Sequence, residues 1–211
     1  MKKIALTLAL AVVSATCAMA QISVGAGYLN ETSTTSWTSG NTTTTTKTPF
    51  GGFYIGGDYE YAIGQGLSFS AGLKGVMYSN KNVEELPIVG DVTTKTKEFN
   101  LVVPVAVNYS YVISPDLKAF AFAGPSFSFG LSAESKTTYE ADADRTTTVN
   151  LYGEDSNYKG FNLFLGAGVG VDVMDMVRVK FGYDFGLANR SSAENTTIKD
   201  SQWYIGVAYL F

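Results

Sequence analysis

The chain has 211 residues, 45% of them hydrophobic, with 22 glycines, no histidine, one cysteine and a formal net charge of −4. One domain of ordinary size fits that length. The acidic balance excludes a basic nucleic-acid footprint, and the lack of histidine excludes imidazole-based chemistry.

Met1-Lys2-Lys3 is a short positive start, Ile4 to Val13 an apolar run, and Ala18-Met19-Ala20 a small-x-small cleavage site. These features predict a cleaved signal peptide over residues 1–20, with Gln21 the first mature residue of a domain covering 21–211. Cys17 follows Ser14-Ala15-Thr16 and lacks the upstream Leu of a lipid-attachment site, so a lipoprotein is not expected. Cleavage after Ala20 removes that one cysteine, and with it disulfide and thiol chemistry. The 15 Lys and Arg less Lys2 and Lys3, against 19 Asp and Glu, leave the mature chain at −6. Beyond residue 20 no run of eighteen apolar residues predicts a membrane helix.

The mature chain instead alternates with period two, the mark of strands. Ile22, Val24, Ala26 and Tyr28 form the apolar face of a first strand, and residues 30–49 are polar. A second strand sets Phe53, Ile55, Gly57, Tyr59, Tyr61 and Ile63 against Tyr54, Gly56, Asp58, Glu60 and Ala62. It turns at Gly64-Gln65-Gly66 into a third, with Leu67, Phe69, Ala71, Leu73 and Met77 opposite Ser68, Ser70, Gly72, Lys74 and Tyr78. After polar residues 79–97, a fourth strand sends Leu101, Val103, Val105, Val107, Tyr109 and Tyr111 to one side and closes at Ser114-Pro115-Asp116.

The fifth strand begins with Phe120 and Phe122 on its apolar side, yet its later large residues are Phe127, Phe129 and Leu131, of opposite parity. A bulge at Gly124-Pro125 is expected to account for that flip. Residues 133–157 form the longest polar stretch. A sixth strand alternates Phe161, Leu163, Leu165, Ala167, Val169 and Val171 with Asn162, Phe164, Gly166, Gly168, Gly170 and Asp172, then turns at Met174-Asp175-Met176. In the seventh, Val177, Val179, Phe181, Tyr183, Phe185 and Leu187 face away from Arg178, Lys180, Gly182, Asp184, Gly186 and Ala188. The eighth carries Trp203, Ile205, Val207, Tyr209 and Phe211 on one face, with aromatics at both ends as the two interfaces of a bilayer favour.

Eight strands therefore alternate long and short connections without exception. A Greek-key sandwich has no reason to gather every short turn at one end, whereas an antiparallel meander does. Lipid cannot satisfy an open sheet edge, so the eighth strand must pair with the first. The expected fold is all-β: an eight-stranded antiparallel up-and-down transmembrane β-barrel preceded by a cleaved signal peptide.

The run FNLVVPVAVNYSYVISPDLKAFAFAGPSFSFGLSA, Phe99 to Ala133, resembles the hairpin typical of the outer membrane protein beta-barrel domain family, with a Pro in a valine-rich strand and an Ala-Gly-Pro in the next. The layout also resembles the small OmpX-like barrels and the barrel half of OmpA, without the latter's peptidoglycan-binding domain. The final strand is similar to the carboxy-terminal signal of that family, which would assign an insertion signal to Trp203, Ile205, Val207, Tyr209 and Phe211. The resemblance implies a bacterial outer-membrane location with periplasmic termini and short turns, and extracellular long loops. It implies no shared activity.

The strands are expected to continue past the membrane as a polar fence. Ser39-Gly40-Asn41 between two Thr-rich arms, 32–38 and 42–48, reads as a hairpin, with a disordered Thr-rich loop over 30–49 as the alternative, and Lys136–Tyr139 facing Thr146–Val149 repeats the arrangement. Inward-facing Asp58, Glu60, Lys74, Asp172, Arg178, Lys180 and Asp184 form a candidate lumen charge network, since eight strands leave a lumen just wide enough for side chains. Gly166, Gly168 and Gly170 lack the spacing and helix of a dinucleotide loop and leave room for large residues across the lumen. Glu140, Asp142 and Asp144, with Glu154-Asp155, suit a hard cation or simply a solvated acidic loop; no full ligand set is present and no metal or cofactor is expected. Together with Trp37 they are candidate loop contacts.

The expected function is structural or surface-interacting, in envelope integrity or adhesion, with a narrow passive pore for ions or small solutes as the alternative. No catalytic motif is evident. Expected partners are the outer-membrane bilayer, the barrel-insertion machinery, and an extracellular protein or glycan at the loops, with no nucleic acid. The barrel is expected to be a monomer.

Overall fold

Period-two alternation governs the strands of the folded chain. The computed structural model describes residues 20–86, 90–139, 142–152 and 156–211. Residues 1–19 of the expected signal peptide lie outside these. The strands are β1 (Ala20–Ser39), β2 (Thr42–Gly64), β3 (Leu67–Leu86), β4 (Gly90–Ser114), β5 (Leu117–Tyr139), β6 (Asp142–Asn150), β7 (Phe161–Val173), β8 (Val177–Gly186) and β9 (Thr196–Leu210). All pair antiparallel. β1 to β5, then β7, β8 and β9, form a ring of eight, which β9 closes on β1 from Ser23↔Leu210 to Trp37↔Thr196. β6 stands above β7 on the same edge of β5, through pairs from Glu134↔Asn150 to Tyr139↔Asp142.

At one end the connections are tight turns, Gln65-Gly66, Pro115-Asp116 and Met174-Asp175-Met176. Gln65 and Gly66 have φ of 53° and 82°, and Met174 and Asp175 both have φ of 54°. At Gln65-Gly66, left-handed residues at both central positions match the right-handed strand twist, as in type I′ turns. At the other end the strands run on past the apolar band. The β1–β2 hairpin pairs continuously to Ser39↔Thr42, as the Thr-rich arms predict. β3 and β4 likewise continue to Leu86↔Gly90.

The apolar residues are on the outside. Val24, Ile55, Leu73, Val107, Phe129, Leu165, Phe181 and Val207, one from each ring strand, are 44–67% exposed. Tyr54, Val76, Val102, Phe120, Phe164 and Tyr204 are buried within. Water does not tolerate a continuous apolar belt of this extent, and a bilayer's hydrocarbon does.

The fifth strand corrects one expectation. Its register against β7 is unbroken from Leu117↔Val173 to Phe129↔Phe161, so no bulge lies at Gly124-Pro125. The irregularity against β4 falls instead between Phe99 and Asn100, opposite Leu131. Phe120 is buried in the lumen, with Phe122 at 6.1 Å between ring centroids. The lipid-facing stripe is Ala119, Ala121, Ala123, Pro125, Phe127 and Phe129. Parity holds from Leu117 to Phe129 and shifts only at Leu131, beyond which Ser132, Glu134 and Lys136 face outward; the strand puts its first two aromatics inward because the glycines of β7 make space there.

A Cβ added at Gly168 would collide with the Phe122 ring, and one at Gly170 with the Phe120 ring. Gly168→Val is therefore expected to cost about 1–3 kcal/mol by overpacking. The urea unfolding midpoint of the barrel in lipid measures it, and an unchanged midpoint would contradict this packing.

Candidate functional site

The lumen is built in three levels. Nearest the short turns, Arg178 of β8 donates from Nε and Nη2 to Asp172 of β7 at 2.7 and 2.8 Å. Its Nη1 reaches across the lumen to Glu60 of β2 at 2.6 Å. Glu60 also accepts from the Ser68 hydroxyl. Lys180 bonds Asp58 at 2.8 Å, and the Arg178 guanidinium lies 4.4 Å from the centroid of the Phe120 ring. Buried charges persist where geometry and further hydrogen bonds offset their lost hydration, and Arg178 has both.

Above this sits an aromatic and aliphatic level of Leu29, Tyr54, Val76, Tyr78, Val102 and Tyr204. Lys74 pairs with the π faces here, 5.2 Å from the Tyr54 centroid and 5.6 Å from that of Tyr204. Asp184 accepts from Gln202 at 2.8 Å, and Gln202 accepts from the Tyr78 hydroxyl at 2.8 Å, linking this level to the next. Two small cavities, about 50 and about 30 Å³, flank Lys74 and share Ser126, Asp184 and Tyr204 in their walls.

The third level closes the long-loop end. Arg190, in the connection from β8 to β9, is 1% exposed. It bonds Asp200 at 2.9 Å, Glu98 at 2.7 Å and the Tyr152 hydroxyl at 2.8 Å, and its Nε donates to the Lys159 carbonyl at 3.1 Å. Tyr158 lies under the guanidinium at 4.3 Å and stacks on Tyr152, with centroids 5.9 Å apart. The connections on either side are laced by a Tyr158↔Ser191 bridge and by bonds from Lys159 N to the Arg190 carbonyl and from Ser192 N to the Asn157 carbonyl, both 2.8 Å. They form a lid over the lumen where β7 and β8 stop short of the other strands.

Burial opposes the charge on Arg190, but Glu98 and Asp200 outweigh it and hold the guanidinium above its ordinary value. Burial, then the Glu98 carboxylate, pushes the Tyr152 phenol up, and burial pushes Tyr158 up. Both phenols stay neutral hydrogen-bonding groups at ordinary pH.

All seven predicted lumen charges face inward. Arg178 and Lys180 reach across to β2, making one transverse network, while Lys74 and Asp184 stand at the aromatic level. Trp37 is 54% exposed at the β1–β2 hairpin. Asp142 and Asp144 lie on β6. The side-chain placement of these two, and the whole of Glu140, Glu154 and Asp155, fall outside the described residues. Trp203, Ile205, Val207, Tyr209 and Phe211 all face outward.

The lid cluster is absent from the expectations drawn from sequence. Glu31, Glu98 and Asp200 continue the inward parity of β1, β4 and β9 beyond the apolar band, a signal that extending the alternation would have found. Arg190 lies in an aperiodic loop that offers no such signal.

The family described as outer membrane protein beta-barrel domain matches residues 14–192. No curated protein matches the chain. Among solved structures, Ail, the attachment invasion locus protein of Yersinia pestis, is 14% identical, covering 92% of this chain and 99% of its own, with a TM-score of 0.43. The outer membrane protein OprG from Pseudomonas aeruginosa is 11% identical over 92% and 96%, TM-score 0.47. Neisserial surface protein A is 13% identical over 89% and 97%, TM-score 0.37. At such scores these likenesses carry no inference about activity.

Arg190→Met leaves Glu98 and Asp200 buried without their cation and is expected to cost about 3–5 kcal/mol. Adding Glu98→Gln and Asp200→Asn is expected to restore most of it, because the uncompensated charges are then gone. Equilibrium unfolding of the single and triple variants in lipid measures both, and an indifferent single variant would show the lid is not held by these pairs.

Proposed function

Because the chain belongs to the outer membrane protein beta-barrel domain family, we propose that it is an outer-membrane barrel whose closed lumen supports a surface-interacting loop end, serving envelope integrity or adhesion rather than transport or catalysis. The termini and short turns face the periplasm, and the long-loop end faces outward. The observation that carries this reading is the blocking of the lumen at two heights by buried arginines, Arg178 and Arg190, each bonded to two carboxylates. A conduit would need those bonds broken twice.

The loop end offers two contact elements. One is the edge of β6 that pairs with no strand among the described residues, where Thr146 to Asn150 are exposed and all but Asn150 are β-branched, a template to which an extended segment of an extracellular protein adds as a further strand. The other is Trp37, a rigid aromatic anchor at the tip of the β1–β2 hairpin, suited to a protein or a glycan. The acidic residues Asp142 and Asp144 of β6 belong to the same end and act as solvating or contact charges. Entry into the membrane uses the strand from Trp203 to Phe211, read by the barrel-insertion machinery, and the barrel works as a monomer.

A second reading, a narrow passive pore, is favoured by the two cavities beside Lys74. Its lower two levels carry the acids Asp58, Glu60, Asp172 and Asp184 against Lys74, Arg178 and Lys180, so any such pore would favour cations.

Single-channel recording in planar bilayers separates the two readings. The closed barrel is expected to give no steady open state at neutral pH. A sustained cation-selective conductance would overturn the plug and select the pore.

A further inference from the structure

On the outward face of the protruding sheet, four lysines stand together. Lys81 of β3 lies directly opposite Lys95 of β4, and Lys95 lies directly opposite Lys136 of β5. Lys97, two residues nearer the apolar band, shares their face and lies opposite Glu134. All four are exposed. Facing residues on antiparallel neighbours have Cβ atoms about 4.5–5.5 Å apart, and like charges placed so repel. Among the described residues none of the four makes an ion pair. A chain of net charge −4 has thus set three cations in one row with a fourth beside it.

The height of the row identifies what neutralises it. Along β3 the outward residues run Met77, Ser79, Lys81; along β4 they run Phe99, Lys97, Lys95. Met77 and Phe99 are 63% and 40% exposed at the upper margin of the apolar band. Two to four residues further, at about 3.3 Å each on strands tilted about 40°, is about 5–10 Å above the hydrocarbon. The headgroup layer occupies that interval, and a lysine stem lets its ammonium settle within it. A lipid whose chains lie on Met77 and Phe99 therefore carries its headgroup to these four ammonium groups.

We infer that Lys81, Lys95, Lys97 and Lys136 bind phosphate groups borne by the headgroups of the lipids around the long-loop end. The source is lipid rather than a soluble anion because the row starts where the lipid-facing band stops, on the same strands and the same face. The inference rests on the proposed orientation only in assigning those lipids to the outer leaflet, where they would be phosphorylated glycolipids.

The test uses the full folded chain in neutral detergent, titrated with diphosphorylated lipid A or its dephosphorylated form and read by native mass spectrometry. Each basic residue at an anionic surface contributes about a factor of five, so Lys81→Gln, Lys95→Gln and Lys136→Gln together are expected to weaken binding of the phosphorylated lipid by roughly a hundredfold at low salt. The corresponding triple arginine variant is expected to bind as the parent does. Equal binding of both lipids by the parent would overturn the inference without recourse to any variant. So would unchanged binding by the glutamine variant, or capture of inorganic pyrophosphate as tight as that of the lipid. Surface labelling of the long loops on whole cells reads orientation separately: inward-facing loops would defeat the proposed orientation and leave lipid-phosphate binding standing.

Discussion

Backbone hydrogen bonding in lipid is the constraint that shapes every other feature of the barrel. Hydrocarbon offers no partner to a peptide N–H or C=O, so a sheet within it must have no edge. The pairing of β9 with β1 supplies that closure and forces each strand to present one face to lipid and one to the lumen. Alternation in the sequence is the consequence. Where the constraint ends, above the apolar band, the sheet opens: among the described residues one side of β6 pairs with no strand, β7 and β8 stop short, and loops cover the gap.

Closure with eight strands also fixes what the interior can hold. The lumen is too narrow for bulk water and too polar in sequence for an apolar core, so its charges must satisfy one another. Arg178 does this across the barrel, joining β8 to β2 through Glu60, where a ring of strands alone would join only neighbours. Arg190 does it at the mouth, where it fastens two loops to β4 and β9. Lys74 and Asp184 are the exceptions, the first held by two aromatic rings and the second by the Gln202 amide, and the cavities lie beside them. The same residues that stabilise the barrel thereby stand across its lumen.

The architecture is legible in the sequence because lipid imposes its pattern on every residue of a span. Val177 to Leu187 can be assigned to inside or outside one by one, and the strand order comes from the loop lengths. The fifth strand misleads because side-chain size is a poor guide to direction. In a narrow barrel, large aromatics fill the lumen as readily as they face lipid, and the small Ala119, Ala121 and Ala123 are the lipid-facing residues there. Parity finds the lower charges, but which cation meets which carboxylate depends on separations of up to 122 residues, as for Lys180 and Asp58. Arg190 is out of reach, since a loop residue acquires its role only when the loops fold over the mouth.

Cysteine pairs across the closing seam test the central claim most directly. Ala26 of β1 lies opposite Val207 of β9, and Tyr28 opposite Ile205. With both Ala26→Cys and Val207→Cys in a chain folded into lipid, oxidation is expected to give an intramolecular disulfide, whereas Ala26→Cys with Trp203→Cys is expected to give none. A seam pair that stays reduced, or cross-links only between molecules, would mean that the terminal strands leave an open edge.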